Sequence, residues 1–265
     1  MERKTITYKV QPVSYRITGN GKPVILIHGF GEDGTIWNQQ VEFLKTGYQL
    51  VIPDLPGSGL SAFNSHLSTV EDYAEAIKAI LDAEKISTCA MLGHSMGGYI
   101  MLAFAEKYAD RLNAIGLIHS SAYADTEEKI AGRKKAIEFM EANGGHAFLK
   151  TAIPGLFSEE WSKLHQQQVD ALVEAGKQFS MEALINYYRL MIARPGRTAI
   201  LKQTPLPVLF IMGVHDKAVP FEHSMQQSHL PSISNIHILR NSAHMGMWEE
   251  ADKTNSAILE FLDSL

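Results

Sequence analysis

The segment Thr88-Cys89-Ala90-Met91-Leu92-Gly93-His94-Ser95-Met96-Gly97-Gly98-Tyr99 constrains this chain more than any other. Thr88 to Leu92 is a short apolar run of the kind that forms a buried strand, and from Tyr99 through Ala105 apolar residues recur at helical spacing. Strand must therefore become helix within Gly93-His94-Ser95-Met96-Gly97. A turn that tight forces its central residue into strained backbone, and small residues two positions to either side let strand and helix approach. Ser95 is then held clear of the backbone, beyond the carboxyl end of a strand and at the positive end of a helix.

The rest of the composition bounds the answer. With 265 residues, 45% hydrophobic and 20% charged, the chain has room for one α/β domain with an insertion or for two small domains, and has the make-up of a globular enzyme. A net charge of −5 and the lack of any basic run argue against nucleic-acid or anionic-membrane partners. Cys89 is the only cysteine, so an intrachain disulfide is excluded, and its place in the strand suits a buried small hydrophobe. No run approaches ~18 apolar residues, and Met1 to Ile6 lacks the apolar core of a secretion signal. The expectation is a cytoplasmic protein acting on a small molecule, with its oligomeric state open.

Taken in order, Thr5 to Thr18 alternates as two edge strands, and Gly19-Asn20-Gly21 turns the chain. Pro23 to Ile27 is a continuous apolar run, as in a central parallel strand, and leads into His28-Gly29-Phe30-Gly31, whose Phe30 N–H is placed to face a cleft. A helix follows near Thr35–Leu44, a strand at Gln49–Ile52, a turn-rich loop Asp54–Ser61, and a helix from a capping box at Ser68–Glu71 through Ala83. After the Ser95 segment comes a buried strand, Leu112–Ile118. The rhythm of strand and helix predicts a doubly wound parallel sheet that binds ligands outside its carboxyl edge. It then breaks. Helical segments near Thr126–Ala142, from Ser158 to Ala175 and from Ser180 to Arg194 intervene before the strand Val208–Met212. Residues 122–203 therefore read as a helical cap, with 1–121 and 204–265 as the core. A helix near Phe221–His229, a strand at Ile236–Leu239 and a closing helix carrying Ile258, Leu259, Phe261 and Leu262 complete the chain.

A serine hydroxyl needs an imidazole as base and a carboxylate to fix that imidazole's tautomer. Asp216 and His244 each fall just past a predicted strand, in the chain order Ser95, Asp216, His244. With these residues the chain resembles the α/β-hydrolase-fold enzymes over nearly all its length except the cap. His28-Gly29-Phe30-Gly31 resembles the family's oxyanion loop, Asp54-Leu55-Pro56-Gly57-Ser58-Gly59-Leu60-Ser61 its Asp-x-Pro-Gly-x-Gly-x-Ser loop, and Gly213-x-x-Asp216-x-x-x-Pro220 its acid loop. The resemblance implies a mostly parallel eight-stranded sheet with a cap after the sixth strand. It also implies a catalytic triad Ser95, Asp216 and His244 at a nucleophile elbow, an oxyanion hole of the Phe30 and Met96 N–H groups, and no cofactor or metal.

Departures narrow the branch. Haloalkane dehalogenases and epoxide hydrolases of this plan carry aspartate where Ser95 stands, and dehalogenases a tryptophan at Met96. Hydroxynitrile lyases tend to place a lysine where Met245 follows the histidine. Carboxylesterases, lactonases, C–C bond hydrolases and cofactor-free perhydrolases remain, with cleavage of a small carboxylic ester as the first reading. A weakly catalytic ligand receptor is the alternative from another class. The expected pocket is covered and mainly apolar, lined by Phe30, Met96, Phe157, Trp161, Leu184 and Met245, and favours short neutral esters. Trp161, Tyr187 and Tyr188 are expected to pack within the cap, with one of them able to face the substrate. Of the other histidines, His94 reads as a filler of the elbow turn, His28 as a support of the oxyanion loop, His119 and His215 as neighbours of the cleft, and His165 as part of a solvated cap face.

Overall fold

The computed structural model describes residues 1–265. Eight strands form one sheet: β1 (Glu2–Tyr8), β2 (Gln11–Thr18), β3 (Lys22–Ile27), β4 (Tyr48–Pro53), β5 (Cys89–His94), β6 (Leu112–Ile118), β7 (Val208–Gly213) and β8 (Ser234–Leu239). Their order across the sheet is β1-β2-β4-β3-β5-β6-β7-β8. Only the pairings of β2, with β1 and with β4, are antiparallel; β3 through β8 run parallel. β2 is thus an interior strand, and β1 alone holds that edge.

The helices flank the sheet as α1 (Asn38–Leu44), α2 (Val70–Ala83), α3 (Met96–Lys107), α4 (Glu127–Asn143), α5 (Gly145–Ala152), α6 (Glu159–Leu164), α7 (Gln166–Ala175), α8 (Met181–Ala193), α9 (Thr198–Gln203), α10 (Phe221–Ser228), α11 (Gly246–Glu249) and α12 (Ala251–Asp263). Alternating side chains of each parallel strand divide between two apolar layers. Ile25, Ile27, Met91 and Phe210 meet α2 and α3 on one face. Val24, Leu26, Leu92 and Ile211 meet α1 and α12 on the other. Cys89 is sealed in the first layer, where burial pushes its thiol up to about 12.

Local chemistry moves some boundaries. The capping box that opens α2 is formed by Thr69 and Asp72, one residue later than Ser68–Glu71. The Thr69 hydroxyl accepts from the Asp72 N–H and the Asp72 carboxylate from the Thr69 N–H, so the shorter aspartate closes the box. Between β6 and β7 the chain forms six helices where three were expected. After a break at Gly144, whose φ is 91°, α5 resumes; the helix expected from Ser158 to Ala175 is divided at His165; α9 adds a last turn. No helix is long and apolar enough to cross a membrane.

Register decides where loops meet. Ile27 pairs with Gly93, His94 with Ile118, Ile118 with Ile211 and Gly213 with Leu239. The carboxyl ends of β3, β5, β6, β7 and β8 therefore lie level. The segments that follow them, carrying Phe30, Ser95, His119, Asp216 and His244, converge at one edge.

Candidate active site

The elbow is built as its glycines dictate. Ser95 has φ 49° and ψ −116°, a strained conformation for a residue with a side chain. A Cβ at Gly93 would lie 2.4 Å from the Gly97 carbonyl carbon, and one at Gly97 would lie 2.4 Å from the Ile27 carbonyl oxygen. From Cys89 to Ala105 every residue is buried except Ser95, which is partly exposed. A Cβ at Gly29 would come within 3.1 Å of the Ser95 Cβ, so the His28–Phe30 loop lies directly over the serine. The Phe30 and Met96 N–H groups donate to no protein acceptor, which leaves two donors idle beside it. His28 fixes this loop: its Nδ1 bonds the Gly29 carbonyl at 2.9 Å, and its Nε2 accepts from the Leu55 N–H at 2.9 Å.

Asp216 is the best-satisfied carboxylate of the cluster. Its Oδ2 accepts from His244 Nδ1 at 2.8 Å and from His119 Nδ1 at 3.3 Å, while its Oδ1 takes the Ala218 and Val219 N–H groups. Burial raises the acid's pKa, but the charge of His244 and the two imidazole hydrogen bonds outweigh it and hold the carboxyl well below its usual range. For His244 burial opposes protonation, and the Asp216 carboxylate outweighs that too, raising the imidazole above its ordinary value. His119, fully buried, is pushed down to about 4. With Nδ1 committed to Asp216, His244 keeps Nε2 as its free basic nitrogen. Ser95 Oγ forms no hydrogen bond to His244 Nε2 or any other group; such contacts are commonly long before substrate arrives. His119, Asp216 and His244 bring three ligand atoms within 4.8 Å of one another; the Nδ1 of each histidine is taken by Asp216, while His119 Nε2 is buried without a partner.

His94 is more than a filler. Its Nδ1 meets Glu32 Oε2 at 3.0 Å and its Nε2 meets the His244 carbonyl at 3.0 Å. Glu32 Oε2 also accepts from the Gly29 N–H at 2.7 Å. One buried pair thereby ties the Phe30 loop, the Ser95 elbow and the His244 loop together. Glu32 was not anticipated, because its partner is 62 residues away in the chain. The only early signal was a carboxylate one residue beyond His28-Gly29-Phe30-Gly31.

The remaining expected residues fall in different places. Met96, Leu184 and Met245 are completely buried. Phe157 and Trp161 stack on each other at 4.8 Å, with Phe157 also against Trp248 at 6.1 Å, on the His244 side. The aromatics that meet Phe30 are instead Tyr188, stacked at 4.4 Å, with Phe148 and Tyr187 edge-on at 6.2 and 6.3 Å. Phe157 and Trp161 were expected at this loop, but Phe148 of α5 and Tyr187 and Tyr188 of α8 pack on Phe30 instead. Tyr187 is anchored there by its hydroxyl, which donates to the Pro56 carbonyl at 2.8 Å in the turn-rich loop. His215 is exposed and lines a separate cleft of about 400 Å³ with Phe157 and Glu159. His165 stacks on Trp161 at 4.3 Å and is half-buried, not solvated. Asp125, the first carboxylate after β6, sits between Arg133 and Arg194, away from His244.

A family model described as "Alpha/beta hydrolase family" matches residues 24–257. A thermophilic esterase from Thermogutta terrifontis, solved with malate bound, is similar over 100% of this chain and 99% of its own, with a TM-score of 0.93 and 27% identity. The enol-lactonase from Burkholderia xenovorans LB400 has a TM-score of 0.91 over 98% of this chain and 100% of its own; at 21% identity the likeness is one of fold. In sequence, a 2-hydroxy-6-oxononadienedioate/2-hydroxy-6-oxononatrienedioate hydrolase of Burkholderia vietnamiensis is 25% identical over 264 residues, 94% of this chain and 90% of that protein.

Proposed function

This chain belongs to the alpha/beta hydrolase family, and on that premise we propose that it is a serine hydrolase cleaving small carboxylic esters through an acyl-enzyme. The observation that carries the reading is the Asp216–His244 pair at 2.8 Å, which leaves Nε2 as base on a loop that His94 ties to the elbow of Ser95. Ser95 Oγ attacks the ester carbonyl as His244 Nε2 takes its proton, and the carbonyl oxygen becomes an oxyanion within reach of the idle Phe30 and Met96 N–H groups. Collapse expels the alcohol, protonated by His244. Water then gives a proton to His244 as it attacks the acyl-enzyme, and collapse breaks the acyl–Oγ bond, with His244 returning that proton to Ser95 Oγ as the acid leaves.

The helices between β6 and β7 act as a cap over this edge. Support comes from Tyr188 and Phe148, which pack on Phe30 beside the oxyanion donors; covering of this kind favours catalysis by limiting water. Malate on the Thermogutta esterase and the dioate named for the Burkholderia vietnamiensis hydrolase are small dicarboxylates, which supports a small acid derivative as substrate. A fluorophosphonate probe should label Ser95 and fail to label Ser95→Ala. Undiminished ester turnover by Ser95→Ala would overturn the mechanism.

A second reading, hydrolysis of a C–C bond beside a ketone, is favoured by the likeness to the Burkholderia vietnamiensis hydrolase over 94% of this chain. The same groups would serve, with a carbanion replacing the alkoxide as leaving group. Parallel assays with methyl esters and with 2-hydroxy-6-oxononadienedioate separate the two.

A further inference from the structure

Beside the proposed reaction site stands a cation that the protein only half uses. Arg133 projects from α4, its side chain 18% exposed. Its Nε donates to Asp125 Oδ2 at 2.6 Å, and Asp125 Oδ1 accepts from Arg194 Nη2 at 2.9 Å. One carboxylate thus serves two guanidinium groups, and a unit of positive charge is left over. The two terminal nitrogens of Arg133 donate to no carboxylate or backbone carbonyl of the protein, and neither is sealed from the surrounding space.

Its position is set by ring contacts. The Arg133 Cζ lies 5.1 Å from the Tyr188 ring centroid, and Tyr188 stacks at 4.4 Å on Phe30, whose N–H is one of the idle oxyanion donors. The phenols of Tyr99 and Tyr188 lie within electrostatic reach of the guanidinium, and the Tyr188 hydroxyl is a polar neighbour of it. Tyr99 stands one turn along α3 from Ser95, about 6 Å in helical rise, with Arg194 packed on its ring at 3.7 Å. A largely buried guanidinium with an unopposed charge costs desolvation energy. Asp125, by taking Nε, leaves the end-on pair Nη1 and Nη2 free, the pair that grips a carboxylate with two parallel hydrogen bonds.

We propose that Arg133, oriented by Asp125 and held over the Tyr188 ring, is a carboxylate subsite, and that the substrate carries a carboxylate a few bonds from its scissile carbonyl. The proposal deepens the serine-hydrolase reading and rests on it. The apolar wall expected from the sequence is then only part of the pocket, the other part being tuned to a single negative charge.

The test compares matched substrates. Monomethyl adipate and 4-acetoxybutyrate place a carboxylate on the acyl and alcohol sides; methyl hexanoate and butyl acetate are their neutral counterparts, and turnover is followed by proton release. The wild-type enzyme should favour at least one anionic ester over its neutral match. In Arg133→Met the ratio of kcat/KM for that anionic ester to its neutral match should fall tenfold or more, chiefly through KM, with partial recovery in Arg133→Lys. The ratio cancels any loss of folded enzyme. Tyr188→Phe should lower it by a smaller factor. Turnover of neutral esters with a ratio unmoved in Arg133→Met would overturn the subsite while leaving the serine-hydrolase reading intact. Lack of turnover of all four esters would instead count against that reading, and the subsite would fall with it.

Discussion

His94 Nε2 bonds the backbone carbonyl of His244 at 3.0 Å, so the residue before the proposed nucleophile holds the loop that carries the proposed base. Both ring nitrogens of His94 face oxygen atoms, Glu32 on one side and this carbonyl on the other. Burial raises the pKa of Glu32, yet its interactions with His94 outweigh that and keep it an ionised partner. Glu32→Gln retains an acceptor for the Gly29 N–H but removes the charge. We expect kcat to fall 10- to 100-fold with a smaller change in KM, and stability to drop by about 3 kcal/mol, as for a buried pair broken on one side. Steady-state kinetics and urea denaturation check both; unchanged kcat would show that the pair does not position the base.

The acid can be tested through the pH profile. Only neutral His244 accepts a proton, so kcat/KM should rise with pH through a midpoint above the ordinary histidine value, because Asp216 outweighs burial. In Asp216→Asn burial acts with less opposition. The midpoint should move to lower pH, and the rate should fall by about 10⁴, the loss known from such triads. A rate loss with an unmoved midpoint would show that Asp216 acts on something other than the charge of His244.

Much of this site was legible because its parts are local. Pro23–Ile27, Cys89–Leu92 and Val208–Met212 are apolar on both faces, as strands covered by helices on both sides must be, and their register then brings Ser95, Asp216 and His244 to one edge. Arg133 and Asp125 were not legible as a pair. They are eight residues apart, joined across a loop and the first turns of α4, and no side-chain periodicity links them. That helix buries only Met140, so an argument from amphipathic faces could not orient it. Likewise Thr69 displaces Ser68 as the cap because Asp72 reaches back where Glu71 instead turns to Arg197.

His119 offers a stability test with a definite sign. Its folded pKa, pushed down to about 4, lies below the ordinary value of 6.5. The unfolded chain therefore takes up this proton first, and stability present above pH 6.5 is lost as pH falls toward 4. His119→Asn keeps an N–H donor for Asp216 and suits the residue's φ of 46°, since asparagine tolerates that region. The difference in denaturation midpoint between wild type and His119→Asn should shift in favour of the variant between pH 7.5 and pH 5. A pH-independent difference would mean that His119 does not contribute through its proton.

The base loop is also fastened to the chain between β6 and β7, through Glu249. Glu249 Oε1 accepts from the Ala243 and Met245 N–H groups, each at 3.0 Å, and so clasps the loop on both sides of His244. Its Oε2 accepts from the Ser158 N–H at 2.8 Å, and nearby the His244 N–H donates to the Leu156 carbonyl at 2.8 Å. Glu249→Gln divides these functions. A glutamine oxygen can keep the two loop donors, but its NH₂ group then meets the Ser158 N–H, donor against donor. Leu156 remains as the second tie, so the fold should hold. We expect amide exchange at Ser158 to accelerate by about tenfold, in line with a lost hydrogen bond worth ~1 kcal/mol or somewhat more, while Ala243 and Met245 keep their protection. If the β6–β7 helices help fix His244, kcat should fall several-fold in the same variant. Faster exchange at Ser158 with full kcat would show that Leu156 alone is enough to hold the base loop.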